Sequence, residues 1–256
     1  MLVAERQQRL LEMVNQRKSV RVTELAKHFS VTDETIRRDL EKLEKEKKLA
    51  RSHGGAVSIT PAHQEPEPPV QEREVMYVEE KKEIAQEAVK HIVVADKILL
   101  DASTTAWYVA KNLPNHSITV LTNSLNVELE LSRKDKVTVI STGGTLLGRS
   151  LSYVGPLTER ALDLFHVNKA FLSCKGLHME RGISESNEQQ ARVKQKMMEI
   201  ADMTYLLTDH HKFHQQAFAY VAPLENIDRV ITDRQAAAID MEHLQEKGVE
   251  VIKAMQ

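Results

Sequence analysis

The sequence predicts an α/β protein of two domains: a small helical head closed by a β-hairpin, and a larger body built on a parallel sheet. Three observations carry this. Apolar residues in the first 58 positions recur at helical spacing, interrupted by capping residues and short turns. Four of the seven prolines crowd into TPAHQEPEPPV, between residues 61 and 69. From about residue 78 onward, short apolar runs alternate with amphipathic segments, the pattern of βα units. The expected boundaries are a head at 1–58, an extended Pro/Glu linker at 59–76 and a body at 77–256.

In the head, Leu10, Leu11 and Val14 mark one face of a first helix, and Ser19–Val22 is β-prone. Thr23 caps a second helix, TELAKHF, with Leu25, Ala26 and Phe29 inward. Ser30 and Val31 leave room for a tight turn alone, and Thr32 caps a third helix. Helix, short turn, helix is the helix-turn-helix arrangement. At about 100° per residue, Ile36, Leu40 and Leu43 share one narrow arc, the buried side. Glu34, Arg38 and Lys45 point the opposite way, flanked by Thr35 and Arg37. An arginine pairs with guanine and a glutamate accepts from cytosine, so Glu34 and Arg38 are the candidate base readers. Thr32, Thr35, Arg37 and Lys42 are placed to hold phosphates, with Lys45 beyond. LARSHGGAV, with Gly54-Gly55 at its turn, reads as a wing whose Arg51 and His53 reach the DNA backbone or minor groove. Charge agrees: residues 1–60 hold 13 Lys and Arg against 9 Asp and Glu, whereas the remainder is acidic and the whole chain carries −2.

In the body, five strands are expected, at 97–101, 118–122, 137–141, 169–174 and 203–209. Each ends in a small, hydroxyl-bearing or basic loop: Asp101 with Ser103, Thr104 and Thr105; Thr122, Asn123 and Ser124; Gly143 and Gly144; Lys175 and Gly176; and Lys212. Ligands of open α/β sheets bind at those ends, and hydroxyls, glycine amides and helix N-termini suit a phosphate. Arg149, Glu185 and Asn187 are further candidates for a sugar or its phosphate. Met197 and Met198 read as a core face of the helix at 188–201. DHHKFH, with Asp209, His210, His211 and His214, has metal-ligand residue types but reads as a solvated loop, and no cofactor is expected. There is one cysteine, Cys174, so no intrachain disulfide forms. No run of about 18 apolar residues is present, so no membrane span is expected. A cytoplasmic location is expected.

TELAKHF, VTDETIRRDL and HGGAV resemble the N-terminal signature of the DeoR family of bacterial transcriptional regulators, and DASTT, LTNS, GGTLLGRSLSYVGP, CKGL, GISESNEQQARVK and DHHKF extend the resemblance through the body. It implies a winged helix-turn-helix joined to a sensor domain similar in fold to sugar-phosphate isomerases such as ribose-5-phosphate isomerase. It also implies a repressor of a carbohydrate-catabolic operon that binds double-stranded operator DNA and responds to a phosphorylated sugar; because one small reading head makes few contacts, a dimer or tetramer is expected. The chain departs from the family in three places. Lys47-Lys48 stands where a glycine often precedes the wing, which predicts a longer third helix. Ala102-Ser103 replaces Ser-Gly in the first loop, and Cys174-Lys175 replaces Ala-Asp in the fourth. The last two resemble the fucose and rhamnose branch. The rival expectation is an isomerase-like enzyme with Asp101 or Glu185 as its base.

Overall fold

The computed structural model describes residues 3–17, 19–29, 31–46, 48–52, 54–57 and 68–254. His53, Lys47, Ser30 and the proline-rich stretch 58–67 lie outside the described residues. Chain contacts divide the molecule into two units, Met1–Glu65 and Pro66–Gln256.

The head contains α1 (Val3–Arg17), β1 (Ser19–Arg21), α2 (Val22–Phe29), α3 (Asp33–Lys45), β2 (Ala50–Ser52) and β3 (Gly55–Val57). Leu10 and Val14 of α1, Leu25 and Ala26 of α2, and Ile36, Leu40 and Leu43 of α3 form one buried cluster. The Val31 amide donates to the Ala26 carbonyl and closes the turn between α2 and α3. α3 stops at Lys45, with Glu46 as its C-cap, short of the longer helix expected from the sequence. The wing is larger than a hairpin: β3 lies between β2 and β1 in an antiparallel sheet of three. Gly55 permits this, since a Cβ there would lie 2.0 Å from the Val20 carbonyl oxygen.

The body begins with α4 (Val70–Glu74) and α5 (Val78–Lys90). It continues with β4 (Lys97–Leu100), α6 (Thr104–Asn112), β5 (Ile118–Thr122), α7 (Leu125–Leu131) and β6 (Val137–Ser141). A hairpin, β7 (Thr145–Leu147) and β8 (Ser152–Val154), leads to α8 (Pro156–Leu162) and β9 (Val167–Ser173). Then come β10 (Gly176–His178), β11 (Gly182–Glu185), α9 (Glu188–Glu199), β12 (Ala201–Thr208), β13 (Ala219–Ala222), β14 (Arg229–Thr232), α10 (Ala238–Glu246) and β15 (Glu250–Lys253). Seven strands form an all-parallel sheet in the order β15-β14-β12-β9-β4-β5-β6, two more than the sequence suggested. Side-chain alternation splits its core. Ile98, Leu100, Val120 and Phe171 pack under α5, α6 and α7, while Leu99, Leu121, Ala170 and Leu172 pack with Val193 and Met197 of α9. A smaller antiparallel sheet, β10-β11-β13, stands beside it.

From β4 the chain winds outward to β5 and β6, then returns to β9 and winds the other way. The switch point therefore lies between β4 and β9, where a crevice opens at the strands' C-terminal ends.

The expected linker needs correcting at its C-terminal end. Residues 70–76 belong to the body as a strap over that end. The Val70 amide donates to the Arg149 carbonyl at 2.8 Å, and the Tyr108 hydroxyl and Asn126 amide both bond Glu74. Lys81 donates to the carbonyls of Arg73 and Met76. The proline signal ends at Pro69, and VQERE beyond it has nothing to keep it extended.

Candidate DNA-reading face and ligand cavity

In the head, α3 presents its charged side outward. The side chains of Glu34 and Arg38 are 62% and 78% exposed, so the protein covers neither. Each is held loosely: Arg38 Nε lies 3.4 Å from Glu34 Oε1, and Arg37 lies 3.8 Å from Glu34 and 4.0 Å from Asp33. Exposed pairs of this kind contribute under about 1 kcal/mol, so they break readily when a base or phosphate competes. Thr32 is the N-cap of α3, accepting from the Thr35 amide at 3.3 Å, and the two hydroxyls meet at 2.9 Å. Lys42 is exposed on the same helix. Arg51 lies in β2, and His53 falls outside the described residues.

In the body, a cavity of about 110 Å³ occupies the switch point. Eight of the residues singled out in the sequence line it: Asp101, Ser103, Thr104, Thr105, Asn123, Lys175, Glu185 and Lys212. Seven do not. Thr122 and Ser124 are consumed locally: the Thr122 hydroxyl donates to the Leu100 carbonyl, and the Ser124 hydroxyl caps α7. Asn187 caps α9 in the same way. Gly143 is bound through its carbonyl by Thr158, Gly144 packs on the same threonine, and Gly176 packs on Gln215. Arg149 is exposed and holds the strap through its backbone.

The first loop is built around a buried carboxylate. Asp101 Oδ1 accepts from the Ser103 amide at 3.0 Å, and Oδ2 accepts from the Ser173 amide at 2.8 Å. Ser103, which stands where the family has glycine, caps α6 by accepting from the Ala106 amide at 3.0 Å. α6 therefore begins at Thr104, and its first amides, unpaired within any helix, stand at the cavity wall. Lys194 of α9 reaches beneath this loop. Its ammonium lies 2.9 Å from Asp101 and 2.6 Å from Glu185 and donates to the Ser173 carbonyl. Burial works against charge on both partners. Even so, Asp101 and Glu185 raise the Lys194 pKa, and Lys194 with the Ser103 contact lowers that of Asp101. Asp101 and Lys194 are thereby held ionised, and Lys194 occupies both carboxylates. Neither candidate base of the isomerase alternative is thus free to take a proton.

The opposite wall carries Asp209, Lys212 and Lys81. Burial pushes the Asp209 carboxyl up, but Lys212 at 3.5 Å and the contact with His211 hold it well below the usual carboxylate range. Lys212 also donates to the Ser173 hydroxyl at 2.8 Å. Burial, reinforced by the Lys212 charge, pushes Lys81 down to about 8. Arg73, Met76 and Tyr77 of the strap complete this side, with Tyr77 stacked 3.9 Å from the ring of His211. In all, five cations (Arg73, Lys81, Lys175, Lys194, Lys212) and three carboxylates line the cavity, a balance that favours an anion. Asn123 Oδ1 and Asp209 Oδ2 are buried there and make no hydrogen bond, although Lys212 stands 3.5 Å from the latter, so both can accept from hydroxyl groups.

Sequence reading missed Lys81, Arg73, Lys194 and Asp209 as cavity residues. The last carried a signal, as the residue ending its strand. The others lie on helices, where a lone basic residue looks like solvated surface. Elsewhere in the DHHKFH segment, Glu80, His210 and His211 bring donor atoms within 4.8 Å of one another. However, the two imidazoles are tilted against each other with centroids 3.8 Å apart, and each keeps its own carboxylate, Asp233 for His210 and Asp209 for His211. Cys174 is buried, and burial raises its thiol to about 11. Among the described residues no helix is long and apolar enough to cross a membrane.

A helix-turn-helix with an outward charged face, followed by an α/β body with a cationic cavity at its switch point, defines a ligand-responsive DNA-binding regulator. Family models agree. Residues 6–62 match the DeoR-like helix-turn-helix domain, and residues 76–234 match the DeoR C-terminal sensor domain. The chain belongs to the DeoR family of transcriptional regulators. It is 54% identical over 98% of its length to the HTH-type transcriptional regulator YulB of Bacillus subtilis, covering 96% of that protein. It is 38% identical to the L-fucose operon activator of Haemophilus influenzae, over 90% of this chain and 91% of that one. It is 33% identical to the transcriptional repressor AccR of Agrobacterium fabrum, over 90% and 89%. Among solved structures, ribose-5-phosphate isomerase A of Methanocaldococcus jannaschii matches 52% of this chain and 53% of its own, with 16% identity and a TM-score of 0.39.

Proposed function

We propose that this regulator controls a carbohydrate-catabolic operon and that a phosphorylated sugar in the body's cavity relieves its repression. The observation that carries the reading is the composition of the switch-point cavity. The start of α6 at Thr104 and Thr105 offers amides and hydroxyls to a phosphate, with Lys212 and Lys81 as counter-charges. Asn123 and Asp209 hold acceptors for sugar hydroxyls, and Lys175 faces the same space. The name of one relative, an L-fucose operon activator, supports sugar regulation, and that of another, a transcriptional repressor, supports the sign proposed here.

In the head, Glu34 and Arg38 read base edges of double-stranded operator DNA, while Thr32, Thr35, Arg37, Lys42 and Arg51 meet phosphates. A single head makes few contacts, so tight binding needs two or more heads on repeated half-sites, and the active species is a dimer or tetramer. The strap gives the ligand a route of action. Pro68, Arg73, Met76 and Tyr77 line the cavity, and they belong to the part of the body nearest the head in sequence. A ligand acts only through its different affinity for two arrangements, and closure of the strap supplies the two.

A thermal-shift screen of phosphorylated pentoses, hexoses and deoxyhexoses tests the reading. A phosphorylated deoxyhexose is expected to raise the melting temperature and to release the protein from promoter DNA in a gel shift. The unphosphorylated sugar is expected to do neither. Equal response to both forms would remove the phosphate from the proposal.

A further inference from the structure

The face of α3 that reads DNA is held from behind by a buried charge. Asp39 follows Arg38 in sequence but points inward and is 4% exposed. Both its oxygens are taken by consecutive residues of α1: Arg6 Nε donates to Oδ2 at 2.6 Å, and Gln7 Nε2 donates to Oδ1 at 2.8 Å. The rest of the head's core is apolar, with Leu10 and Val14 of α1 clustered with Ile36, Leu40 and Leu43 of α3.

Two physical points make this arrangement informative. Apolar packing is non-directional, so Leu10, Val14, Ile36 and Leu40 hold α3 close without fixing its rotation. Two hydrogen bonds to the two oxygens of one carboxylate, from donors one residue apart, fix both rotation and height. A buried ion pair is also a weak stabiliser, and apolar replacement of the set is often neutral or better. Stability therefore does not account for the clamp. Orientation does, because reading a base edge tolerates only about 10–20° of misalignment.

We propose that Asp39 is a positioning residue for operator recognition: held by Arg6 and Gln7, it sets the rotation at which Glu34 and Arg38 meet the major groove, without touching DNA itself.

The test uses the full-length chain and a duplex selected by it from a random pool, with mixed-sequence DNA as competitor. Asp39→Leu is expected to unfold cooperatively and to bind mixed-sequence DNA with the native affinity and salt dependence. Its preference for the selected duplex is expected to fall by about tenfold or more per half-site, and a fresh selection should return a looser motif. An equal loss of specific and non-specific binding would mark Asp39 as merely structural and overturn the proposal, as would a native preference in a folded Asp39→Leu. Should that variant fail to fold, Asp39→Asn decides. It keeps the shape and a carbonyl for Gln7 but loses the charge facing Arg6. The expected result is an intermediate loss of preference, and a native preference would overturn the proposal equally.

Discussion

Head and body both bury charged side chains, but they do so to opposite ends. In the head, Asp39 is fully matched by Arg6 and Gln7, and the loosely paired charges stand outside on Glu34, Arg37 and Arg38. In the body, Lys194 is matched by Asp101 and Glu185, yet next to this triad the cavity keeps two buried acceptors that make no hydrogen bond and a lysine whose pKa burial lowers to about 8. Where a partner is a large polyanion, charge can wait in water and cost little. Where the partner is small and must be enclosed, its binding groups have to be desolvated in advance, and a charged scaffold must hold them there. The most fragile polar group should therefore be a scaffold residue, and the most specific ones should be removable without harm to the fold.

The largest effect is expected at Lys194. Replacing it with methionine leaves Asp101 and Glu185 buried without their cation, a loss of about 3–5 kcal/mol. Urea denaturation measures this directly, and a variant within 1 kcal/mol of the native chain would show that water already reaches the triad. Arg38→Ala is the counterpart in the head. It is expected to leave the unfolding midpoint unchanged and to cost about 1–3 kcal/mol of operator binding per half-site, read by gel shift. A change in stability instead would mean that Arg38 serves the fold.

Lys212→Ala separates the two regions functionally. Operator binding should persist, while the sugar phosphate no longer releases the DNA, because the cavity has lost the ammonium beside Asp209 and the Ser173 hydroxyl. Loss of a charged hydrogen bond weakens the ligand by about 1.5–3 kcal/mol. Unchanged release in a gel shift or reporter assay would move the phosphate site elsewhere in the cavity.

How much of this the sequence disclosed follows the same division. In the head, the proposed reading face and amphipathicity share one helix, so the periodicity that buries Ile36 and Leu40 also exposes Glu34 and Arg38. Five of the seven strands of the parallel sheet were legible because their apolar runs are bounded by turn chemistry. β14 and β15 are four residues each, and β15 is only half-buried, so neither gives a distinct run. The cavity was half legible. Loop residues such as Ser103 and Asn123 advertise themselves at strand ends, whereas Lys81 and Lys194 lie within amphipathic helices, and only the folded chain shows that their ammoniums turn inward. The small residues at 143–144 and 176 lie outside the cavity lining for a general reason: glycine at a strand end serves tight packing as readily as it serves a phosphate.

The smallest predicted effect is also the one that most directly sets fold against ligand. Lys81 titrates near 8 in the folded chain and near its ordinary 10.5 when unfolded. Between those values the unfolded chain holds a proton that the folded chain has released, so stability rises with pH through this window. Ligand binding should move the opposite way. A phosphate has completed its second ionisation below this range, so the ammonium of Lys81 is the charge lost between pH 7 and 9, and affinity should fall by up to about tenfold. Calorimetric titration with the sugar phosphate at pH 7, 8 and 9, run beside thermal melts of the empty protein, measures both slopes. Lys81→Arg, which keeps its charge throughout, should flatten both. If affinity and stability instead rise or fall together in the native chain, Lys81 does not face the ligand, and the strap is held in the same way whether the cavity is full or empty.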